Sequence, residues 1–285
     1  DDETFGPGGT LARLSSEGDA VHYLCGTRGE SGTVSPEKLN GYRDAGELRT
    51  AELMCAAKTL GLAGVHFLGL RDSGMAGSSD NSHPESLHSA TPEEVARRIA
   101  AYILEFKPDA ILTHDQFGNY GHPDHVKLHH GVLDAYAALW GIRIDLSRWT
   151  DSQGRGAPVR ETGAPARPDL AVPKLYLTTL PKDRVKRGVK IMPLFGLDPR
   201  RYGRNRDIDL VRQSTWDVPI TTRVDARAFF KIKQIAVACH ASQLAPMTAQ
   251  NRFVRWLYRR DQGVEYFSRA YPPFAPGELI EHTLL

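Results

Sequence analysis

The sequence predicts an α/β fold in which a mostly parallel sheet is covered by helices on both faces, in three layers. Two observations carry this. Short apolar runs alternate with longer segments of helical period, at the spacing of strand–helix–strand units. The helical segments are also punctuated by capping residues that fix where they start and stop.

Taken in order, DDETFGPGGTLARLSSEG reads as a helix, and VHYLCGT (Val21–Thr27) as a buried strand ending in glycine-rich sequence. Leu48 to Leu60 has helical spacing and stops at Gly61. VHFLGL (Val65–Leu70) is the next strand. TPEEVARRIAAYILEF follows, with Thr91 as N-cap, Pro92 at the first helical position, acids in the first turn, and Lys107-Pro108 as the stop. DAILTHD (Asp109–Asp115) is a strand, and a helix runs from about Pro123 to Leu139. In such a unit a strand should precede the opening helix, so the chain reads as beginning just after its first strand. Residues 1–140 are therefore expected to form a Rossmann-like core.

Residues 141–285 are expected to be the remainder of the same domain, a C-terminal extension. Within it, 141–173 is rich in Gly, Pro, Arg and Ser and reads as a flap. KLYLTTL (Lys174–Leu180) reads as a strand, Lys182–Arg206 as a basic solvated loop, and Asp225–His240 as a helix. A wall for an anionic substrate is the second reading of the basic stretch.

The 285 residues carry 36 basic and 34 acidic side chains, a formal net charge of +2. That near-balance implies neither a nucleic-acid nor a membrane partner. No apolar run approaches the ~20 residues of a membrane-spanning helix. Cys25, Cys55 and Cys239 are few, odd in number and far apart, which predicts buried structural thiols and a reducing, cytoplasmic setting.

Chemistry concentrates in two places. In NYGHPDHVKLHH (Asn119–His130), Pro123 suits the first helical position and makes His122 the N-cap. His122 and His125 can share a helix face, and Asp115, Tyr120 and Asp124 crowd the same point past a strand's C-terminal end. Active sites collect at that end of a parallel sheet. His125 with His129 forms an HxxxH pair able to ligate metal; His129 reads better as an outer or surface residue, since it lies a turn further from the strand end. The second place is Asp1, Asp2 and Glu3. Helix capping would explain acids here. Three in succession before Gly6, Gly8 and Gly9 suggest a site where backbone approaches something closely. A dinucleotide fingerprint fits poorly, because glycine should come first.

DDETFGPGGTLARLSSEGDAVHYLCGTRGESG, with GHPDH far downstream, resembles the LmbE-like (PIG-L) zinc N-deacetylases. Within that family the chain looks most similar to the mycothiol-type deacetylase and conjugate amidase. The deacetylase-like stretches are Tyr42, Arg49 with Glu52, RDSGMAG, THDQFGNYGHPDH and VPKLYLT; the amidase-like ones are ITTRVDARAFF, CHASQ and the tail EYF…GELIEHTLL.

The resemblance implies the family fold and one zinc per chain, with Asp2 and His125 as ligands and a third, a histidine, belonging two residues before Asp1. Another divalent transition metal such as Fe2+ could serve. It implies Asp1 as general base, Tyr120 helping polarise the amide carbonyl, and His122, tuned by Asp124, as the group that stabilises the oxyanion or protonates the leaving amine. Arg49 and Asp72 match positions that grip a sugar; a surface arginine and a turn aspartate are their bland readings. His240 and Gln243 match a late motif that could equally be a helix end in the core.

The expected activity is hydrolysis of an N-acyl amide on a glucosamine-type small molecule, with oligomerisation left open. A non-catalytic sugar-binding domain and a nucleotide-binding protein are the rivals.

Overall fold

The opening segment, expected as one helix, is two: Pro7 has no N–H to continue the first, and Gly8 begins the second. In the computed structural model, which describes all residues except 33, 35, 40, 148, 151–166, 168, 204–205, 245–262 and 276, the elements follow one another as α1 (Asp2–Phe5), α2 (Gly8–Glu17), β1 (His22–Cys25), α3 (Pro36–Leu39), α4 (Ala45–Leu60), β2 (Gly64–Phe67), α5 (Pro92–Phe106), β3 (Ala110–Thr113), α6 (Gly118–Gly121), α7 (Pro123–Trp140), β4 (Lys174–Thr179), α8 (Lys182–Ile191), α9 (Leu210–Gln213), β5 (Thr222–Asp225), α10 (Phe230–Cys239) and β6 (Val264–Tyr271). The described residues divide into two units. One is Asp1–Gly74 with Val224–Glu265; the other is Met75–Arg223 with Tyr266–Leu285.

In the first unit β1 and β2 pair in parallel, Leu24 opposite His66. Helices α2, α4 and α10 pack against each other through the alanines Ala12, Ala56 and Ala236 with Leu60, and Ile232 and Phe229 lie on the cluster. Small side chains at such contacts let helix backbones approach closely. Asp44 caps α4 by accepting from Glu47 N at 2.8 Å, and Gly61 closes it in the left-handed region.

The cysteine expectation needs correcting here. Cys55 and Cys239 are joined in a disulfide, their Cα atoms 5.8 Å apart on α4 and α10, and Cys55 is exposed. A separation of 184 residues hid a pair that helix packing brings within bridging range. The cysteines therefore do not argue for a reducing compartment. Cys25 is a free thiol, donating to Thr27 O at 2.9 Å, and burial pushes its pKa up to about 11.

In the second unit β3 pairs in parallel with β4, Ile111 opposite Leu175, and β4 pairs antiparallel with β6; the sheet order is β3-β4-β6-β5. Helix α5 starts as expected, Thr91 accepting from Glu94 N at 3.2 Å with Pro92 next. It packs on α7 so closely that a Cβ on Gly131 would lie 2.6 Å from Val95 Cγ1. The C-terminal tail is held by Arg269, which donates to Glu281 at 2.7 Å and Glu278 at 2.5 Å.

Two expectations in this half change. The start of the basic stretch is helix α8, not loop: Val185 and Val189, four apart, lie half-buried on one stripe between exposed charges. The segment Asp225–His240 is α-helical only from Phe230: Asp225 ends β5, and Arg227–Phe229 form a 3-10 turn before the helix. Most of the expected flap, 151–166 and 168, lies outside the described residues. Among the described residues no helix is long and apolar enough to cross a membrane.

Candidate active site

The residues singled out in the sequence fall into two sets, one in each unit. In the second unit, β3 delivers the chain to His114 and Asp115. Asp115 Oδ1 accepts from Phe117 N and Asn119 N, both at 2.9 Å, and burial pushes its carboxyl up to about 6. The turn this builds holds Asn119 at φ 60°, ψ −56°, a sparsely populated region for any residue but glycine. Its backbone is held there from several directions. Asn119 Oδ1 accepts from Thr178 Oγ1 at 2.9 Å, and its carbonyl accepts from Gln213 Nε2 at 2.7 Å. Sequence reasoning passed over Asn119; the glycines on either side were the only signal.

From this turn α7 begins as expected. His122 is its N-cap, its Nδ1 accepting from Asp124 N at 3.2 Å. A backbone N–H on Nδ1 places the proton of the neutral ring on Nε2, so Nε2–H is what His122 offers. His125 is arranged the other way. Its Nδ1 faces Gly118 O at 3.3 Å, and a carbonyl can only accept, so Nδ1 carries the proton and Nε2 keeps its lone pair. A backbone carbonyl orienting a histidine in this manner is what metal-ligating histidines need. The rings of Tyr120, His122 and His125 meet one another, with centroids 5.1 Å apart for Tyr120 and His125 and 4.8 Å for His122 and His125. His114 stacks on His125 at 3.8 Å, an unforeseen member of the cluster. Asp124 sits buried in the first turn of α7.

His129 is not at the surface. It is fully buried, its Nδ1 donating to His114 O at 2.9 Å, and burial lowers its pKa to about 3.

In the first unit Asp1 is the N-cap of α1, and its side chain makes no capping hydrogen bond. Asp2 begins the helix and is half-buried. The next acid, Glu3, is buried, accepting from Thr4 Oγ1 at 2.5 Å and from His240 Nε2 at 2.6 Å.

Arg49 and Asp72 are both tied to one loop. Arg49 Nη1 donates to Gly29 O at 3.2 Å and its Nη2 to Gln243 Oε1. Asp72 N donates to Glu30 Oε2 at 3.1 Å, and its carbonyl accepts from Ser31 Oγ at 2.7 Å. Gly29 is required here: its φ is +73°, and a Cβ would lie 2.1 Å from the Arg49 guanidinium. Glu52, buried on α4, accepts from Ser242 N at 2.6 Å and Ser242 Oγ at 2.7 Å. The CHASQ segment thus reaches both Glu3 and α4, which accounts for His240 and Gln243.

The donor chemistry fits a divalent metal. Carboxylate oxygen and an imidazole nitrogen with an oriented lone pair suit zinc and its neighbours. A family model described as PIG-L, GlcNAc-PI de-N-acetylase, matches residues 1–136. A Thermobifida fusca protein named 1D-myo-inositol 2-acetamido-2-deoxy-α-D-glucopyranoside deacetylase is 31% identical over 282 residues, covering 96% of this chain and 90% of that one. Among solved structures, N,N'-diacetylchitobiose deacetylase from Pyrococcus horikoshii superposes with a TM-score of 0.53 at 18% identity, covering 94% of this chain and 78% of that one. A 4-carboxy-2-hydroxymuconate hydratase from Pseudomonas putida KT2440 also superposes at 0.53 and 18%, covering 97% and 95%, so the fold by itself does not name a reaction. The identity extending over nearly the whole chain decides it: the protein belongs to the PIG-L, GlcNAc-PI de-N-acetylase family.

Proposed function

We propose that the protein is a zinc-dependent N-deacetylase acting on N-acetylglucosamine linked to a second group, in the manner of the inositol-linked substrate named for its relative. The observation that carries this is the opposite orientation of two neighbouring histidines: His125 presents a lone pair at Nε2, while His122 presents a proton at Nε2. One suits a ligand and the other a hydrogen-bond donor to developing negative charge.

Asp2 and His125 would hold the metal, which when bound lowers the pKa of a coordinated water towards ~7. The remaining work belongs to the chain. Asp1, with no capping duty, takes the proton of the attacking water as general base. The Tyr120 hydroxyl donates to the amide oxygen. His122 donates its Nε2–H as a hydrogen bond to the oxyanion, the Asp124 backbone N–H holds the tautomer that presents it, and Asp1 passes the proton it took from the water to the departing amine. Arg49 and Asp72 grip the sugar hydroxyls.

A sugar-binding domain without catalysis is disfavoured by the relatives, which are named as deacetylases. The test is release of acetate and free amine from N-acetylglucosaminyl-inositol, abolished by a chelator and restored by zinc. Tight substrate binding without turnover in the zinc-loaded protein would establish the binding reading instead.

A further inference from the structure

We propose that α10 and its C-terminal cap form a ledge that positions the Asp1-Asp2 pair, with His240 and Lys233 as its two grips. The inference rests on the reading of Asp1 as base and Asp2 as ligand. Helix α1 is a single turn of four residues and cannot fix two carboxylates by itself. Its backbone is closed by Thr4 N and Phe5 N on Asp1 O, both 3.0 Å, so whatever fixes residues 3–6 fixes Asp1 and Asp2.

Two contacts do so directly, and three more brace the start of α2. His240 Nε2 donates to Glu3 Oε1 at 2.6 Å. Lys233 Nζ donates to Gly6 O and to Glu265 Oε1, each at 2.6 Å. Glu265 in turn accepts from Gly9 N at 2.9 Å and Thr10 N at 2.7 Å, at the start of α2. Gly9 has no room for a side chain, since a Cβ would lie 2.7 Å from Ala226 Cβ.

Lys233 lies on α10 and His240 caps its C-terminal end, seven residues on, with buried Ala236 between them. Glu3, Lys233, His240 and Glu265 are all at least nine-tenths buried. Buried ion pairs are weak stabilisers, and apolar residues of similar volume often serve stability as well or better. What an apolar replacement cannot reproduce is a fixed direction. The ledge is a positioning device, and its residues touch neither metal nor substrate.

The experiment compares His240→Leu, His240→Gln and Glu3→Gln in the full chain. Zinc dissociation constants are read by chelator competition, thermal melts report folding, and kcat and KM are read on N-acetylglucosaminyl-inositol. Outer residues that orient ligands are worth about 10–100-fold in metal affinity. His240→Leu should weaken zinc binding by that factor and lower kcat with KM little changed. His240→Gln, which restores a donor to Glu3, should recover most of both.

A folded His240→Leu protein with zinc affinity within twofold of the parent would overturn the proposal. So would equal losses in the Leu and Gln variants. If His240→Leu does not fold, Glu3→Gln decides: it keeps the shape but weakens the grip, and unchanged zinc affinity there refutes the ledge. The zinc measurement is independent of turnover. A parent that binds zinc but hydrolyses nothing would refute the deacetylase reading while leaving the ledge to be judged on affinity.

Discussion

His129 donates from Nδ1 to the backbone oxygen of His114 at 2.9 Å, while its fully buried Nε2 meets no hydrogen-bond partner among the described residues. The ring is therefore built to be neutral. Burial, aided by the neighbouring charge of His130, lowers its pKa to about 3 from the ordinary 6.5. Between those values the unfolded chain binds a proton that the folded protein refuses, so stability falls as pH drops below about 6.5 and the loss continues to about pH 3. Each pH unit inside that window should cost about 1.4 kcal/mol from this one group. His129→Gln keeps a donor for His114 O but does not titrate. Urea melts of parent and variant at pH 6 and pH 4 should diverge by about 2–3 kcal/mol, the parent losing more. A constant difference across that range would show that the ring is not held neutral.

The same geometry separates His129 from His125 as a ligand. His125 points its lone pair away from Gly118 O, whereas His129 uses its proton on His114 O inside the protein. With the histidine expected two residues before Asp1 in place, metal analysis should find about one zinc per chain. His125→Ala should lose most of it, and His129→Ala should retain it wherever the variant folds. Release of metal by His129→Ala alone would make HxxxH the ligand pair.

Much of this was legible from particular residues. Pro123 announced a helix whose N-cap had to be His122, and the structure has that cap. Thr91-Pro92 marked the start of α5 in the same way. What local sequence does not encode is partnership across the chain. Nothing in the spacing of Cys55 and Cys239 pairs them, and nothing near Glu3 points to His240, 237 residues away. The Asn119 backbone was hidden for another reason. Its φ of 60° is enforced by Thr178, Gln213 and Asp115 together rather than by any preference of asparagine. Helix α8 was misread because its net basic composition masked the Val185/Val189 stripe.

Asp1 caps α1 in position only, leaving its carboxylate uncommitted to the helix, and this is what a general base requires. Asp1→Asn preserves size and hydrogen bonding while removing basicity. Turnover should fall by about 100-fold or more, with zinc content unchanged. Parent-like turnover on N-acetylglucosaminyl substrates would remove Asp1 from the mechanism.

Arg49 and Asp72 raise the question of whether they recognise a sugar or only hold the Arg28–Gly32 loop. Both touch that loop, Arg49 through Gly29 O and Asp72 through Glu30 and Ser31. The contacts differ in kind. Those of Asp72 to Glu30 and Ser31 are made by its backbone, and its Oδ1 accepts from Gly74 N at 2.9 Å, only two residues on. Asp72→Ala should therefore leave the loop in place and remove an acceptor. Arg49→Ala removes the side chain that fills the space beside Gly29 and Gly32, so it should loosen the loop as well. A site built to bond a hydroxyl loses about 1–3 kcal/mol when one partner is left unsatisfied. Both variants should thus lower kcat/KM on sugar amides by roughly 10- to 100-fold with zinc occupancy intact, and Arg49→Ala should also depress the melting temperature. A small N-acetyl compound without a ring should be insensitive to Asp72→Ala. Equal losses on ring-bearing and ring-free substrates in that variant would assign Asp72 to the scaffold and place the sugar elsewhere.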